Sequence, residues 1–399
     1  MEENRKVEKY SAWIFVILLG CVSLFSDMTY EGARSITGPY LGLLGASAFI
    51  VGLITGFGEL LGYTFRLVSG YFVDKTKRYW LITFIGYIIN LFAVPLLALS
   101  GNWVIASILI VLERFGKSIR VPGRDAMLSF AAKRTGTGIS FGINEALDQI
   151  GAVLGPVIVS VSLFVKKGNY HFAFGILLFP AVIAILLLTI SKVLFPRPEN
   201  LEIKNMEIQT KGFQRSFWLY LLAVIFVAMG YADFPLMAYH FKKTMIVSEQ
   251  TIPLLYATAM AVDAIAALIF GYMYDKVGIV ILSFASFISS FFAPLVFLGG
   301  IFGSAELACW IGIILWGIGM GAQESIMRSG IADISSQQKR ASAYGIFNTG
   351  FGIFWFIGSA LMGYLYDKNI AILVLFSIIT QIVSIPLFVF TAKQKKAGL

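Results

Sequence analysis

Twelve runs of apolar residues, each long enough to cross a lipid bilayer, occupy almost the whole of this chain. A span needs about 20 apolar residues, and inside the bilayer every backbone polar group must be satisfied by the chain itself, which admits only helices or closed barrels. Barrel strands are about 10 residues long and alternate in polarity; these runs are longer and do not alternate, so helices are expected. Composition agrees, with 58% of residues hydrophobic, 13% charged and a mean hydropathy of +0.82. The runs and their breaks place spans at 12 to 40, 47 to 73, 79 to 100, 103 to 125, 138 to 165 and 172 to 192. A second set follows at 216 to 241, 251 to 274, 279 to 300, 304 to 328, 341 to 366 and 370 to 391. The fold expected is an all-α membrane protein of 12 transmembrane helices.

Lys and Arg gather in the termini and in alternate loops, and positively charged loops stay in the cytosol. Both termini are therefore expected to be cytoplasmic, in a multi-pass protein of the cell membrane. Topology and anionic lipid account for the net charge of +9, so the lipid bilayer is an expected partner and nucleic acid is not. Arg5, Lys6 and Lys9 precede the first run, but that run continues through Asp27, Glu31 and Arg34, too long and polar for a cleaved leader. Cys21 and Cys309 fall inside separate spans and read as buried thiols, with no metal site or disulfide.

The polar stretch Phe195 to Arg215 divides six spans from six, giving bundles at 1–192 and 216–399 with a cytoplasmic linker at 193–215. The halves repeat. Gly70, Asp74 and Lys75 after the second run match Gly271, Asp275 and Lys276 after the eighth, displaced by 201 residues; Gly155 matches Gly358 at 203, and Arg124 matches Arg328 at 204. Parallel six-helix halves are a transporter architecture. At these residues the chain resembles the major facilitator superfamily, over nearly its whole length. The family's loop motif stands here as Gly70, Asp74, Lys75, Lys77 and Arg78, with Lys77 where the family usually has Gly. Gly151, Gly155 and Pro156 resemble its antiporter motif, without the glycines that usually follow; a small-residue packing seam explains the same string. The resemblance implies two pseudo-symmetric six-helix bundles and a central cavity lined by helices 1, 4, 7 and 10.

The charges within spans fall in the same places. Spans 3, 9 and 12 contain none, and span 6 only its terminal Lys192, which suits lipid-facing positions. A charge in a span costs roughly 2.5 to 3.5 kcal/mol on insertion scales and usually faces water or a partner. Asp27, Glu31 and Arg34 share one face of the first helix, a pattern for proton coupling or for a permanent Glu31–Arg34 pair. Glu113, Lys117, Arg120 and Arg124 form a stripe on the fourth, with Arg114 about 100° away. Arg120, Arg124 and Asp125 also suit a salt-bridge network with Asp74, Glu145 or Asp148. Glu59 and Asp263 are further candidate proton sites, and Asp233 before Pro235 marks a bend. Tyr231, Trp316, Gln323, Asn348 and Trp355 could grip substrate from the second half by stacking and hydrogen bonding.

The expected function is proton-coupled export of a small organic compound by alternating access. Asp27, Glu31, Glu59 and Asp263 would carry protons, and Arg34, Glu113, Arg114, Lys117 and Arg120 would tune them or bind substrate. Proton-linked import of an anionic metabolite is the alternative, favoured if the cations converge; a non-transporting receptor is a third reading. No P-loop, metal cluster or nucleophile arrangement points to an enzyme or a cofactor, and a monomer driven by a proton gradient is expected.

Overall fold

The computed structural model of the chain describes residues 2–198, 213–335 and 340–397. Among them every regular element is helical. The first half comprises α1 (Glu2–Leu43), α2 (Ala48–Thr76), α3 (Tyr79–Leu96), α4 (Trp103–Thr135), α5 (Thr137–Val165), α6 (Tyr170–Ile176) and α7 (Leu178–Leu194). The second comprises α8 (Arg215–Gly230), α9 (Phe234–Thr244), α10 (Thr251–Val277), α11 (Ile281–Ser289), α12 (Phe292–Phe297), α13 (Ala305–Ile334), α14 (Arg340–Lys368) and α15 (Ile370–Ala397). Ten segments of the described residues are long and apolar enough to cross a membrane. Two features separate that number from the twelve runs of the sequence. The segment Thr251–Phe297 is 47 residues long and contains two runs separated by a 3-10 turn, while α4 carries too many charges to qualify.

Three spans expected to be single helices are interrupted, and proline explains each interruption. Pro180, Pro235 and Pro294 lack an N–H, so the carbonyls of Ile176, Tyr231 and Ser290, four residues earlier, lose their helical donor. The breaks between α6 and α7, α8 and α9, and α11 and α12 fall at those carbonyls. The second is the bend foreseen at Asp233. Pro122 leaves α4 continuous, because its freed acceptor, the Ser118 carbonyl, takes a 2.7 Å hydrogen bond from the Ser69 hydroxyl of α2. Asn102 and Ser304 cap α4 and α13 by accepting from Ile105 and Leu307 amides at 2.9 and 3.3 Å.

The residues group into two compact units, Met1–Arg34 with Thr64–Met206, and Ser35–Tyr63 with Glu207–Leu399. The second unit thus contains the far end of α1 and the first half of α2. Residues 199–212 of the expected linker lie outside the described residues. In the first unit Ala12, Phe15, Val16, Leu19 and Val22 of α1 pack with Trp80, Tyr87 and Leu91 of α3, Leu128 and Ala131 of α4 and Ala184 and Leu188 of α7. Glycines bring α3 and α4 together: a Cβ at Gly86 would overlap the Arg120 backbone, and one at Gly116 the backbone of Asn90. In the second unit Gly52 and Gly56 of α2 press on Ser359 and Phe356 of α14, and the Phe49 amide donates to Asp367 Oδ2 at 2.9 Å.

The repeat extends to packing. Gly155 of α5 lies against the Met28 carbonyl of α1, and Gly358 of α14 against the Met229 carbonyl of α8, with Met28 and Met229 themselves 201 residues apart. Lys77 and Gly278, also 201 apart, both adopt positive φ, 54° and 68°. That conformation is the reason glycine suits the position that Lys77 occupies.

Candidate functional site

In the first unit the charged side chains of α1 and α4 meet around Tyr30. Its hydroxyl donates to Asp27 Oδ2 at 3.2 Å and accepts from the Lys117 ammonium at 2.6 Å, and the same ammonium lies 3.8 Å from the centre of its ring. The Arg114 and Arg120 guanidiniums stand 5.7 and 5.9 Å from that ring. Arg120 is 1% exposed; it faces Asp27 Oδ1 at 3.7 Å and rests over Tyr87 at 4.6 Å. Glu113 pairs with Arg114 at 3.3 Å and accepts from the Asn90 amide at 2.7 Å. Glu31 is buried within electrostatic reach of Asp27, Tyr30 and Lys117. A single tyrosine hydroxyl therefore joins a carboxylate of one helix to an ammonium of another, where charges weigh more than in water.

The stripe continues along α4 as an ion network. Arg124 meets Asp125 at 2.9 Å, Asp148 of α5 at 3.6 Å and the Ser23 hydroxyl of α1 at 2.7 Å, while Asn144 donates to Asp148 at 3.1 Å. Of the acidic partners foreseen for Arg120, Arg124 and Asp125, Asp148 joins the network; Asp74, at the end of α2, and Glu145 are exposed. Arg34 is half-buried, one turn beyond Glu31, at the limit of the first unit. Glu59, also half-buried, belongs to the second unit and Asp27 to the first. Lys75, Arg78 and Asp275 are exposed. At Gly70 an added Cβ would meet Pro122 at an ordinary 3.6 Å, and at Gly271 it would meet nothing within 4 Å. These motif glycines are not close-approach points here. Gly151 and Gly155, which a Cβ would drive into the carbonyls of Leu24 and Met28, are, and Pro156 follows them inside α5. The Arg328 side chain lies outside the described ones.

Tyr30, Tyr87, Asn90, Asn144 and Ser23 are absent from the sequence-based candidates. Tyr30 was legible, three residues after Asp27 on the same helical face. Asn90 was not, because the third span has no charge and reads as lipid-facing, yet one of its faces is buried on α4.

The second unit gathers the other candidates where α8 gives way to α9. Tyr231, the counterpart of Tyr30 at the 201-residue displacement, has its ring 5.7 Å from Trp316 and 6.0 Å from Trp355, and Phe351 is 5.3 Å from Trp355. Side chains of neighbouring helices satisfy carbonyls at the interruption. The Trp316 indole donates to the Ala232 carbonyl at 2.9 Å and the Ser377 hydroxyl to that of Gly230 at 2.6 Å, while the Tyr231 hydroxyl, from the interruption itself, donates to the Trp316 carbonyl of α13. Asp263 of α10 is 1% exposed, and its backbone carbonyl faces Gly321 of α13. Gln323 is buried one turn beyond Gly319, which lies against Tyr231. Asn348 is half-buried on α14, two turns before Trp355.

Broken helices, a buried ionic group in one unit and an aromatic group in its repeat are features of a membrane transporter. Residues 16–243 and again 217–398 match the family model of the Major Facilitator Superfamily, and the chain belongs to that superfamily of transporters. It is 38% identical over 381 residues to an uncharacterised protein of Mycobacterium tuberculosis (strain ATCC 25618 / H37Rv), covering 94% of this chain and 92% of the relative. It is 30% identical over 413 residues to an uncharacterised MFS-type transporter of Methanocaldococcus jannaschii, covering 98% and 96%. Among solved structures it is similar to a bacterial homologue of the human lysosomal transporter Spinster, inward-facing and unoccupied, with a TM-score of 0.69, 15% identity and 96% of each chain covered. It is also similar to the nucleoside transporter NupG, with a TM-score of 0.72, 14% identity and 96% and 98% covered. At that identity the likeness is one of fold.

Proposed function

We propose that the chain is a proton-coupled secondary transporter of a small organic compound with an anionic group, working by alternating access and taking up proton and substrate together. The observation that carries this reading is the Tyr30 hydroxyl shared by Asp27 and Lys117, with Arg114 and Arg120 around the same ring. A substrate anion that engages Lys117 and Arg120 draws them away from Asp27. The carboxylate then needs another positive charge, and a proton supplies it. Proton and anion thus bind cooperatively, which is the requirement for cotransport; Glu31, on the same face, is the second proton acceptor. Glu59 and Asp263 remain candidate proton sites. The gating positions, the cytoplasmic termini, the cell membrane and a cofactor-free monomer belong to this proposal as well.

Export in exchange for protons is the second reading, favoured by the resemblance of Gly151, Gly155 and Pro156 to the antiporter motif. Their close packing on α1 explains the same residues without antiport. Proteoliposomes with an imposed pH gradient separate the two. Cotransport concentrates a labelled organic anion on the side towards which protons flow, and exchange concentrates it on the opposite side. Flux that ignores the gradient removes proton coupling altogether.

A further inference from the structure

Buried polar atoms are nearly always hydrogen-bonded, and a group that lacks a partner needs a reason. Gln323 and Trp355 are two such side chains among those of the second unit. Gln323 is 7% exposed, and neither its Oε1 nor its Nε2 has a hydrogen-bond partner; Trp355 is 4% exposed, and its Nε1 has none. Both belong to one neighbourhood. The Trp355 ring is 6.0 Å from Tyr231, and Gly319, one turn before Gln323 on α13, would carry a Cβ 3.1 Å from Tyr231 Cε2. Trp316 and Phe351 add flat apolar surface beside these two rings. The indole of Trp316, by contrast, is satisfied by Ala232, so the vacancy at Trp355 is not a general property of the cluster.

We propose that Gln323 and Trp355, among the rings of Tyr231, Trp316 and Phe351, form a subsite for a planar ligand group that carries an N–H beside a carbonyl. The vacant atoms define that chemistry. Gln323 Oε1 accepts from the ligand N–H, Gln323 Nε2 donates to its carbonyl, and Trp355 Nε1 donates to a second acceptor lone pair. Aromatic walls favour a flat ring over an open chain, which selects a lactam within a ring over a simple amide. The subsite rests on the transporter reading, because a ligand reaches groups this buried only in a chain that opens to solvent. Asp263, within electrostatic reach of Tyr231, is the competing attraction, since a carboxylate near an aromatic ring also suits an organic ammonium.

Equilibrium dialysis of the full-length protein in detergent, with radiolabelled 2-pyridone as probe, tests the assignment. Saturable binding should be at least ten-fold tighter than that of N-methyl-2-pyridone, which lacks the N–H, and tighter than that of N-methylacetamide. Gln323→Leu should lose at least ten-fold in 2-pyridone affinity while its thermal midpoint holds or rises, because leucine removes an unsatisfied buried amide. Trp355→Phe should weaken binding and keep the stacking face. Equal affinity for the N-methyl analogue, tighter binding of benzylamine, no saturable 2-pyridone binding, or a lowered midpoint in Gln323→Leu would each overturn the subsite. The measurement needs no gradient. Retained binding without gradient-driven flux therefore counts against the proposed function alone, and flux without this binding against the subsite alone.

Discussion

Tyr30 donates to a carboxylate and accepts from an ammonium through one oxygen, so a change of a single atom tests the coupling. Tyr30→Phe keeps the ring beneath Lys117 and removes the bridge. Gradient-driven flux should fall at least ten-fold with folding intact, and its pH profile should move; an unchanged profile in proteoliposomes takes Tyr30 out of the proton path. Lys77 gives a second residue-scale test. It holds φ at 54°, and an L-residue there costs about 1 kcal/mol relative to glycine. Lys77→Gly should raise the thermal midpoint in detergent by a few degrees with transport unaltered. The departure from the family motif was plain in the sequence, but its meaning was not, because a one-letter code carries no dihedral angle.

Among the elements, α1 and α5 meet at Gly155 as α8 and α14 meet at Gly358, each glycine against a main-chain carbonyl. Backbone cannot rotate aside as a side chain does. Gly155→Val and Gly358→Val should each cost about 1 to 3 kcal/mol by overpacking, lowering the thermal midpoint, whereas Gly271→Val, with open space at the Cβ, should leave it unchanged. Equal effects at all three would mean that these contacts are not what holds the helices together. The apolar runs were readable because length alone decides whether a helix can span lipid. The interruptions before Pro180, Pro235 and Pro294 were harder to read, since Pro39, Pro95, Pro122, Pro156 and Pro386 sit inside continuous helices. At Pro122 a hydroxyl on another helix takes the freed carbonyl, and contacts of that kind are invisible in a single sequence.

The molecule as a whole carries one plan twice with different chemistry: an ionic group built on Tyr30 in the first unit and an aromatic group built on Tyr231 in the second. The duplication was legible from glycine and aspartate spacing, and so was the charged stripe on α4. The membership of residues 35–63 in the second unit was not, because nothing in the apolar pattern of α2 says which neighbour each half will meet. That membership assigns a task to Asp367, which with Gly363 and Lys368 repeats the Gly-x-x-x-Asp-Lys string once more and accepts from the Phe49 amide at the start of α2. A carboxylate at a helix N-terminus stabilises it by about 0.3 to 1 kcal/mol. Asp367→Asn should lower the thermal midpoint slightly and more so at low ionic strength; salt-independent loss would point to the hydrogen bond rather than the charge.

The three residues between α8 and α9 lie at the middle of an apolar stretch yet outside regular helical bonding. The amides of Tyr231 and Ala232 trade their protons for deuterium as soon as solvent reaches them, without any need to unwind a turn. Deuterium uptake at Tyr231 and Ala232, followed by mass spectrometry in lipid nanodiscs, would make this short stretch a built-in gauge of hydration in the middle of an apolar segment.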